Sequence, residues 1–261
     1  MGKNKLKKFS EMERIDFVFQ YPWAVLRQEG FPLRGRWRDE VFHNDKPIIL
    51  ELGCGKGEYT VGLATARPDA NYIGVDIKGA RMWTGATDAQ SRGLKNVAFL
   101  RTDIELLPAF FAPGEVDEIW ITFPDPQMKK VNKRLTGTRF MEMYRRILAP
   151  DGIVHLKTDS PFLYAYTTMM ADHNGLESIT RTDNLYASLP ADDPILNIRT
   201  HYEQQWLDRG LTIKYFSFRP GNGAPLAEPP GAEDIPQDTY RSYSRGYIEC
   251  PQLMDDDENE Q

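Results

Sequence analysis

Apolar and polar positions along the chain separate into short, nearly continuous apolar runs and longer stretches at helical spacing. Ile48–Leu52 is the first run and stops at Gly53. Tyr72–Ile77 follows and contains Asp76, Val97–Leu100 leads into Asp103, and Val116–Phe123 ends at Pro124. Ile153–Leu156 leads into Asp159, and Leu211–Phe218 is a last β-rich run. Between them, Tyr59–Ala66, Ala80–Arg92, Arg139–Leu148 and Leu163–Asn174 repeat apolar residues at helical spacing. Strands alternating with helices of this length predict an α/β fold with a doubly wound, mostly parallel sheet. Ligands bind such sheets at the carboxyl ends of the strands. Here a polar or acidic residue sits at nearly every one of those ends.

The flanks read differently. Residues 1–46 interleave aromatic and basic side chains (Phe17, Phe19, Tyr21, Trp23, then Arg34, Arg36, Trp37, Arg38). From Pro220 onward Pro and Gly dominate, which predicts a tail without a core of its own. The expected division is an N-terminal basic and aromatic region over 1–46, an α/β domain over 47–219, and a poorly ordered tail over 220–261.

Composition and charge change this picture in three respects. No apolar run reaches the roughly 18 residues of a membrane span. No apolar signal core follows the basic Met1–Phe9 segment, so a cytoplasmic location is expected. Cys54 and Cys250 lie far apart and, with four histidines, predict free thiols and no clustered metal site. A net charge of −6 argues at first against a nucleic-acid partner. The charges are segregated, however: Lys3, Lys5, Lys7 and Lys8 precede any acid, and Asp255–Gln261 holds five acids. A local basic surface is compatible with the acidic total.

Glu51-Leu-Gly53-Cys-Gly55-Lys-Gly57 links the first strand to a helix. Glycines there permit a tight turn and close approach of a ligand to the backbone. A dinucleotide site would have Gly-x-Gly-x-x-Gly. The spacing here is Gly-x-Gly-x-Gly, and the Glu51 carboxylate would repel a pyrophosphate while suiting an ammonium group. S-adenosylmethionine has an ammonium and a sulfonium and no phosphate. Gly53 and Gly55 would admit it, Asp76 would take its ribose hydroxyls, and Asp103 would accept from its adenine amino group.

The fourth strand ends in Phe123-Pro-Asp125-Pro126, where two prolines fix the backbone around one carboxylate. Lys129, Lys130, Lys133 and Arg134 follow within six residues, without an acid, and suit phosphate contacts. His155, Trp120 and Trp206 read as packing residues, Cys54 as a small residue among glycines. Trp23 and Trp37, set among arginines, are candidate base-stacking residues.

The chain resembles the bacterial tRNA (guanine-N(7)-)-methyltransferases over roughly residues 47–218. The resemblance rests on Glu51-Leu-Gly-Cys-Gly-Lys-Gly57, Gly74-Val-Asp76, Arg101-Thr-Asp103, Lys157-Thr-Asp159 and Thr200-His-Tyr-Glu203. It rests most on Phe123-Pro-Asp-Pro-Gln-Met-Lys-Lys-Val-Asn-Lys-Arg-Leu-Thr136. The chain departs from the family pattern at Gln127 and at Lys130-Val131, and its tail lies outside it. The resemblance implies a Rossmann-like class I methyltransferase with a seven-stranded sheet and an antiparallel last strand. It implies S-adenosylmethionine contacts at Glu51, Asp76, Asp103 and Asp125, with Asp125 also catalytic. It places Lys129, Asp159, Thr200 and Glu203 at the tRNA substrate, and Asn132, Lys133 and Arg134 along the RNA. The implied reaction is methyl transfer to N7 of the variable-loop guanine at position 46 of tRNA. The alternatives are a nucleobase methyltransferase acting on an exocyclic amine, a nicotinamide dehydrogenase on the same scaffold, and a non-catalytic RNA-binding protein.

Overall fold

The computed structural model describes residues 3–190, 193 and 198–240. Cys250 and the acidic run from Asp255 lie outside the described residues, as do the side chains of Lys3 and Lys5. In chain order the elements are α1 (Lys3–Met12), β1 (Val18–Gln20), α2 (Trp23–Glu29) and a π-helical turn (Trp37–Phe42). Then come β2 (Ile48–Leu52), α3 (Glu58–Ala66), β3 (Asn71–Val75), α4 (Gly79–Ser91), β4 (Val97–Arg101), α5 (Leu107–Phe110) and β5 (Val116–Thr122). The chain continues through α6 (Thr138–Arg145), β6 (Leu148–Thr158), α7 (Pro161–His173), β7 (Glu177–Thr182), α8 (Leu185–Ser188), α9 (His201–Leu207) and β8 (Lys214–Arg219).

The strands form one eight-stranded sheet in the order β1-β4-β3-β2-β5-β6-β8-β7. The expected count was seven. The additional strand is β1, three residues that pair in parallel with β4 at the sheet edge. β8 is the antiparallel strand, hydrogen-bonded to β6 on one side and β7 on the other. β7 was also missed by periodicity, because its residues are mostly exposed and polar. The four central parallel strands begin and end close to their predicted bounds, since nearly every residue in them is buried.

Side-chain alternation splits the core in two. Ile48, Leu50 and Leu52 of β2, Ile119 and Ile121 of β5, and Val154 and Leu156 of β6 join one apolar cluster. Ile49 and Trp120 join the other, with Tyr59, Val61 and Leu63 of α3. The opposite parity therefore carries Glu51, Thr122, His155 and Lys157 beneath α3 and α9. Register places Glu51 beside Trp120, and Thr122 beside Lys157. His155 stacks on Trp120 at 4.0 Å, and its Nδ1 lies 2.8 Å from the Tyr215 hydroxyl, so it packs the sheet.

Residues 220–240 run across α6 and α7. Arg145 donates to the Pro220 carbonyl, Thr138 and the Tyr166 hydroxyl donate to Glu228, and Leu226 and Ile235 lie against the core. Asp238 is buried; it accepts from Ser160 Oγ at 2.5 Å and from the Phe162 amide at 3.1 Å. Tyr240 donates to Asp159 at 2.7 Å. At the other end α1 lies on α4, where Trp83 Nε1 donates to Glu11 and the Lys8 ammonium sits 4.5 Å from the Trp83 ring.

Candidate active site

A cavity of about 610 Å³ opens where the carboxyl ends of β4, β3, β2 and β5 converge. That volume suits a drug-sized ligand. Sheet order sets its layout. Asp103 and Asp76 line one end, Gly53 and Gly55 the middle, and Phe123 and Asp125 the other end.

The glycine turn leaves open space at the cavity. Gly53 and Gly55 have φ of +74° and +55°, a region that other residues enter at a cost. A Cβ added at Gly53 would meet nothing within 4 Å, so the space above it is open. Asp76 braces the turn: its Oδ2 accepts from the Gly55 amide at 2.9 Å and its Oδ1 from the Lys78 amide at 2.6 Å. Each oxygen keeps a second lone pair, so the carboxylate is held in place and can still accept from a ligand. Asp103 caps the turn that follows β4, accepting from the Glu105 amide at 3.0 Å.

Glu51 does not line this cavity. Strand alternation turns it beneath the turn, where it is 4% exposed. It accepts from the Thr60 amide at 2.8 Å, from the Thr60 hydroxyl, and from Thr122 Oγ1 at 2.7 Å. Glu51 thereby braces β2 against α3 and against the cavity residue Thr122. Burial raises the Glu51 carboxyl to about 7, outweighing the lowering effect of Thr60 and Thr122. A carboxyl raised from 4.5 contributes stability that is fully present below pH 4.5 and is lost as the pH rises through 7. Glu51→Gln should remove that dependence. The stability of the wild type relative to the variant is expected to fall by about 3 kcal/mol across this window. Denaturant melts at stepped pH measure it, and parallel curves for the two proteins would refute the shift.

Asp125 is exposed at the cavity, between two strained residues. Phe123 and Gln127 have φ of +47° and +49°, and neither is glycine. Backbone in this region costs of order 1–3 kcal/mol per residue and recurs at functional sites. Asp125 Oδ1 accepts from the Gln127 amide at 3.0 Å, which leaves Oδ2 and one lone pair of Oδ1 for other partners.

The basic run divides. Lys129 and Lys130 are exposed and have no ion-pair partner among the described residues. Lys133 borders the cavity but pairs with Glu105 at 2.7 Å, and Arg139 donates to the same carboxylate and to the Asn132 carbonyl. These partners hold Glu105 down at about 2. Glu105, a cavity residue with no motif around it, was not singled out from sequence. Arg134 departs from expectation. It is 3% exposed, donates to the Gln127 and Met128 carbonyls, and lies 4.3 Å from the Tyr166 ring and 4.9 Å from the Phe162 ring. It fastens the Asp125 loop to α7 and presents no guanidinium to solvent.

The remaining expected substrate residues are also largely enclosed. Glu203 and Lys157 are wholly buried and paired at 2.9 Å, and Glu203 also accepts from the Tyr186 hydroxyl at 2.7 Å. Asp159 is wholly buried beneath Tyr240. Thr200 caps α9 by accepting from the Glu203 amide at 3.1 Å. Trp37 is buried against Phe111, so of the two candidate stacking residues only Trp23 is exposed. Among the described residues no group of three or more His, Cys, Asp or Glu could hold a metal ion, and no helix is long and apolar enough to cross a membrane.

Sheet order, the glycine turn after β2 and the acids after β3, β4 and β5 define a class I methyltransferase. Solved structures share the fold: an antibiotic-related methyltransferase matches with a TM-score of 0.53 at 18% identity, over 69% of this chain and 90% of that one. A 16S rRNA methyltransferase matches with a TM-score of 0.52 at 13% identity, over 77% of this chain and 94% of that one. Residues 45–216 match a family of putative methyltransferases. A tRNA (guanine-N(7)-)-methyltransferase of Porphyromonas gingivalis is 62% identical over 238 residues, which are 90% of this chain and 96% of that protein. One from Bacteroides thetaiotaomicron is 58% identical over 94% of this chain and 96% of its own length. The chain belongs to the tRNA (guanine-N(7)-)-methyltransferase family.

Proposed function

We infer that the protein transfers a methyl group from S-adenosylmethionine to N7 of guanine at position 46, in the variable loop of tRNA. The observation that carries this reading is Asp125, held by strained backbone at the β5 end of a cavity whose other end holds Asp76 and Asp103.

The donor supplies an electrophilic methyl on a sulfonium; the N7 lone pair bonds to that carbon as the carbon–sulfur bond breaks and its electron pair stays on sulfur. No proton leaves N7, so no residue has to act as a general base. The protein's task is alignment. Gly53 and Gly55 admit the donor to the backbone. Asp76 offers acceptors to two ribose hydroxyls, and Asp103 to the adenine amino group. Glu51 and Thr122 brace the floor beneath them. Asp125 accepts from the guanine ring N–H or amino group and faces a base that gains positive charge, which its carboxylate stabilises. Lys133 and Arg139 stay on Glu105, and Arg134 fixes the loop. Lys129 and Lys130 are left as the phosphate contacts next to Asp125.

Incubation of unmodified tRNA with labelled donor, followed by nucleoside analysis, tests the reading. 7-Methylguanosine is expected; a base methylated on an exocyclic amine would favour the alternative methyltransferase, and no product would favour a binding protein. Replacing Lys129 and Lys130 by Ala should weaken tRNA binding and reduce the slope of log K against log salt concentration by about 1–2, leaving donor affinity unchanged. Isotherms at several salt concentrations measure this, and an unchanged slope would exclude the pair as phosphate contacts.

A further inference from the structure

We propose that Trp23, Lys78 and Arg81 form a second contact surface for tRNA, beside the donor end of the cavity, which rests on the reading above. The indole stacks on an unpaired base and the two cations meet phosphates. A hollow of about 430 Å³ adjoins the cavity there, and Ile77, Thr102 and Asp103 line both. Sheet order produces this adjacency. β1 is the edge strand next to β4, with Gln20 opposite Arg101. The chain that leaves β1 therefore passes the carboxyl end of β4 and brings Tyr21, Pro22 and Trp23 to the other wall of the hollow.

Trp23 opens α2 and is 56% exposed. Ile77, which lines the same hollow, is 58% exposed, so two large apolar side chains meet water at one place. The support beneath Trp23 is fixed. The Tyr21 ring lies 5.4 Å from that of Phe31, which in turn packs on Trp37 at 5.5 Å and on Phe110 at 4.9 Å. An exposed aromatic side chain on a rigid support is the usual stacking surface for unpaired bases.

Charge selects the occupant. Lys78 and Arg81 border the cavity at this end, are exposed, and have no ion-pair partner among the described residues. Arg101 lines the hollow but is engaged, donating to Gln20 and to the Ile77 carbonyl beneath the Phe9 ring. Of the described residues lining the hollow, Asp103 alone is acidic, and the reading above commits it to the donor. An aromatic wall with a cationic rim suits a nucleic-acid strand. Lys129 and Lys130 stand at the other end of the cavity. Three strand spacings separate the ends of β4 and β5, roughly 14 Å. About four nucleotides at a 3.4 Å rise span that distance. One stretch of RNA therefore reaches both rims and is held on either side of the base at Asp125.

Binding of unmodified tRNA at several salt concentrations is to be compared for wild type, Trp23→Phe, Trp23→Leu and the double variant Lys78→Ala with Arg81→Ala. Donor titrations, thermal melts and steady-state methyl transfer accompany each. Trp23→Leu should weaken tRNA binding by about 5- to 150-fold, whereas Phe keeps a ring face and should retain most of the affinity. The double variant should reduce the slope of log K against log salt concentration by about 1–2. KM for tRNA should rise while kcat holds, because the surface lies away from the reacting atoms. Donor Kd and Tm should stay at wild-type values. Leu binding tRNA as tightly as Phe would overturn the stacking, and an unchanged slope would overturn the phosphate contacts. Weaker donor binding with tRNA affinity intact would also overturn the proposal and assign Trp23 to the adenine ring. A wild type that binds tRNA but makes no 7-methylguanosine overturns the functional reading itself, a failure visible without any variant.

Discussion

Asp125→Ala is expected to abolish methyl transfer in a protein that still folds, and Asp125→Asn to lower kcat by roughly 10²–10³-fold. The side chain is exposed, so little packing is lost on truncation. Asn keeps an oxygen that can accept from the Gln127 amide, so the loop between the two left-handed residues stays closed. It removes the negative charge that faces a base turning cationic. The two substitutions therefore separate roles. A carboxylate that only orients the base would lose little in Asn, whereas one that stabilises charge would lose most of its effect. Labelled-methyl assays beside thermal melts decide this. Near-wild-type turnover in a folded Asp125→Ala protein would remove the residue from the mechanism.

Lys157→Met should cost about 3–5 kcal/mol of stability, because it leaves the Glu203 carboxylate buried and unpaired. Burial pulls the Lys157 ammonium below its usual pKa, and Glu203 opposes that pull, so each charge depends on the other. For a chain of this length the loss corresponds to roughly 6–20 °C in Tm. Replacing both residues, as in Lys157→Met with Glu203→Leu, should recover much of the loss, since apolar pairs of similar volume often match a buried ion pair. The single variants should also lose turnover, because α9 packs through Tyr202 on Phe123, which lines the cavity. Melts of both single variants and the double variant give the coupling energy. Single variants within about 1 kcal/mol of wild type would show that the pair is not what holds α9.

The parallel strands β2 to β5 and the acids that follow β3, β4 and β5 were legible because burial on both faces leaves an unbroken apolar run that stops where the chain meets solvent. Asp76, Asp103 and Asp125 line one cavity as those strand ends required. β1 escaped notice because three residues carry no period, and β7 because an exposed edge strand needs no apolar alternation. The roles of single polar residues were harder to read. Glu51, Arg134, Asp159 and Glu203 all look like surface groups in a motif, yet each is buried on a partner distant in the chain.

By itself, then, the sequence determined the α/β class, the order of strand and helix and the acids at the cavity, because alternation and turn chemistry act over a few neighbouring residues. Tertiary structure alone decided which charges face a ligand and which brace the floor. Thr122 meets Glu51 across 71 positions and Lys157 meets Glu203 across 46. Only the strand order β2-β5-β6, with α9 laid over its end, brings such residues within hydrogen-bonding distance. A charge buried that deeply is stable only beside its partner.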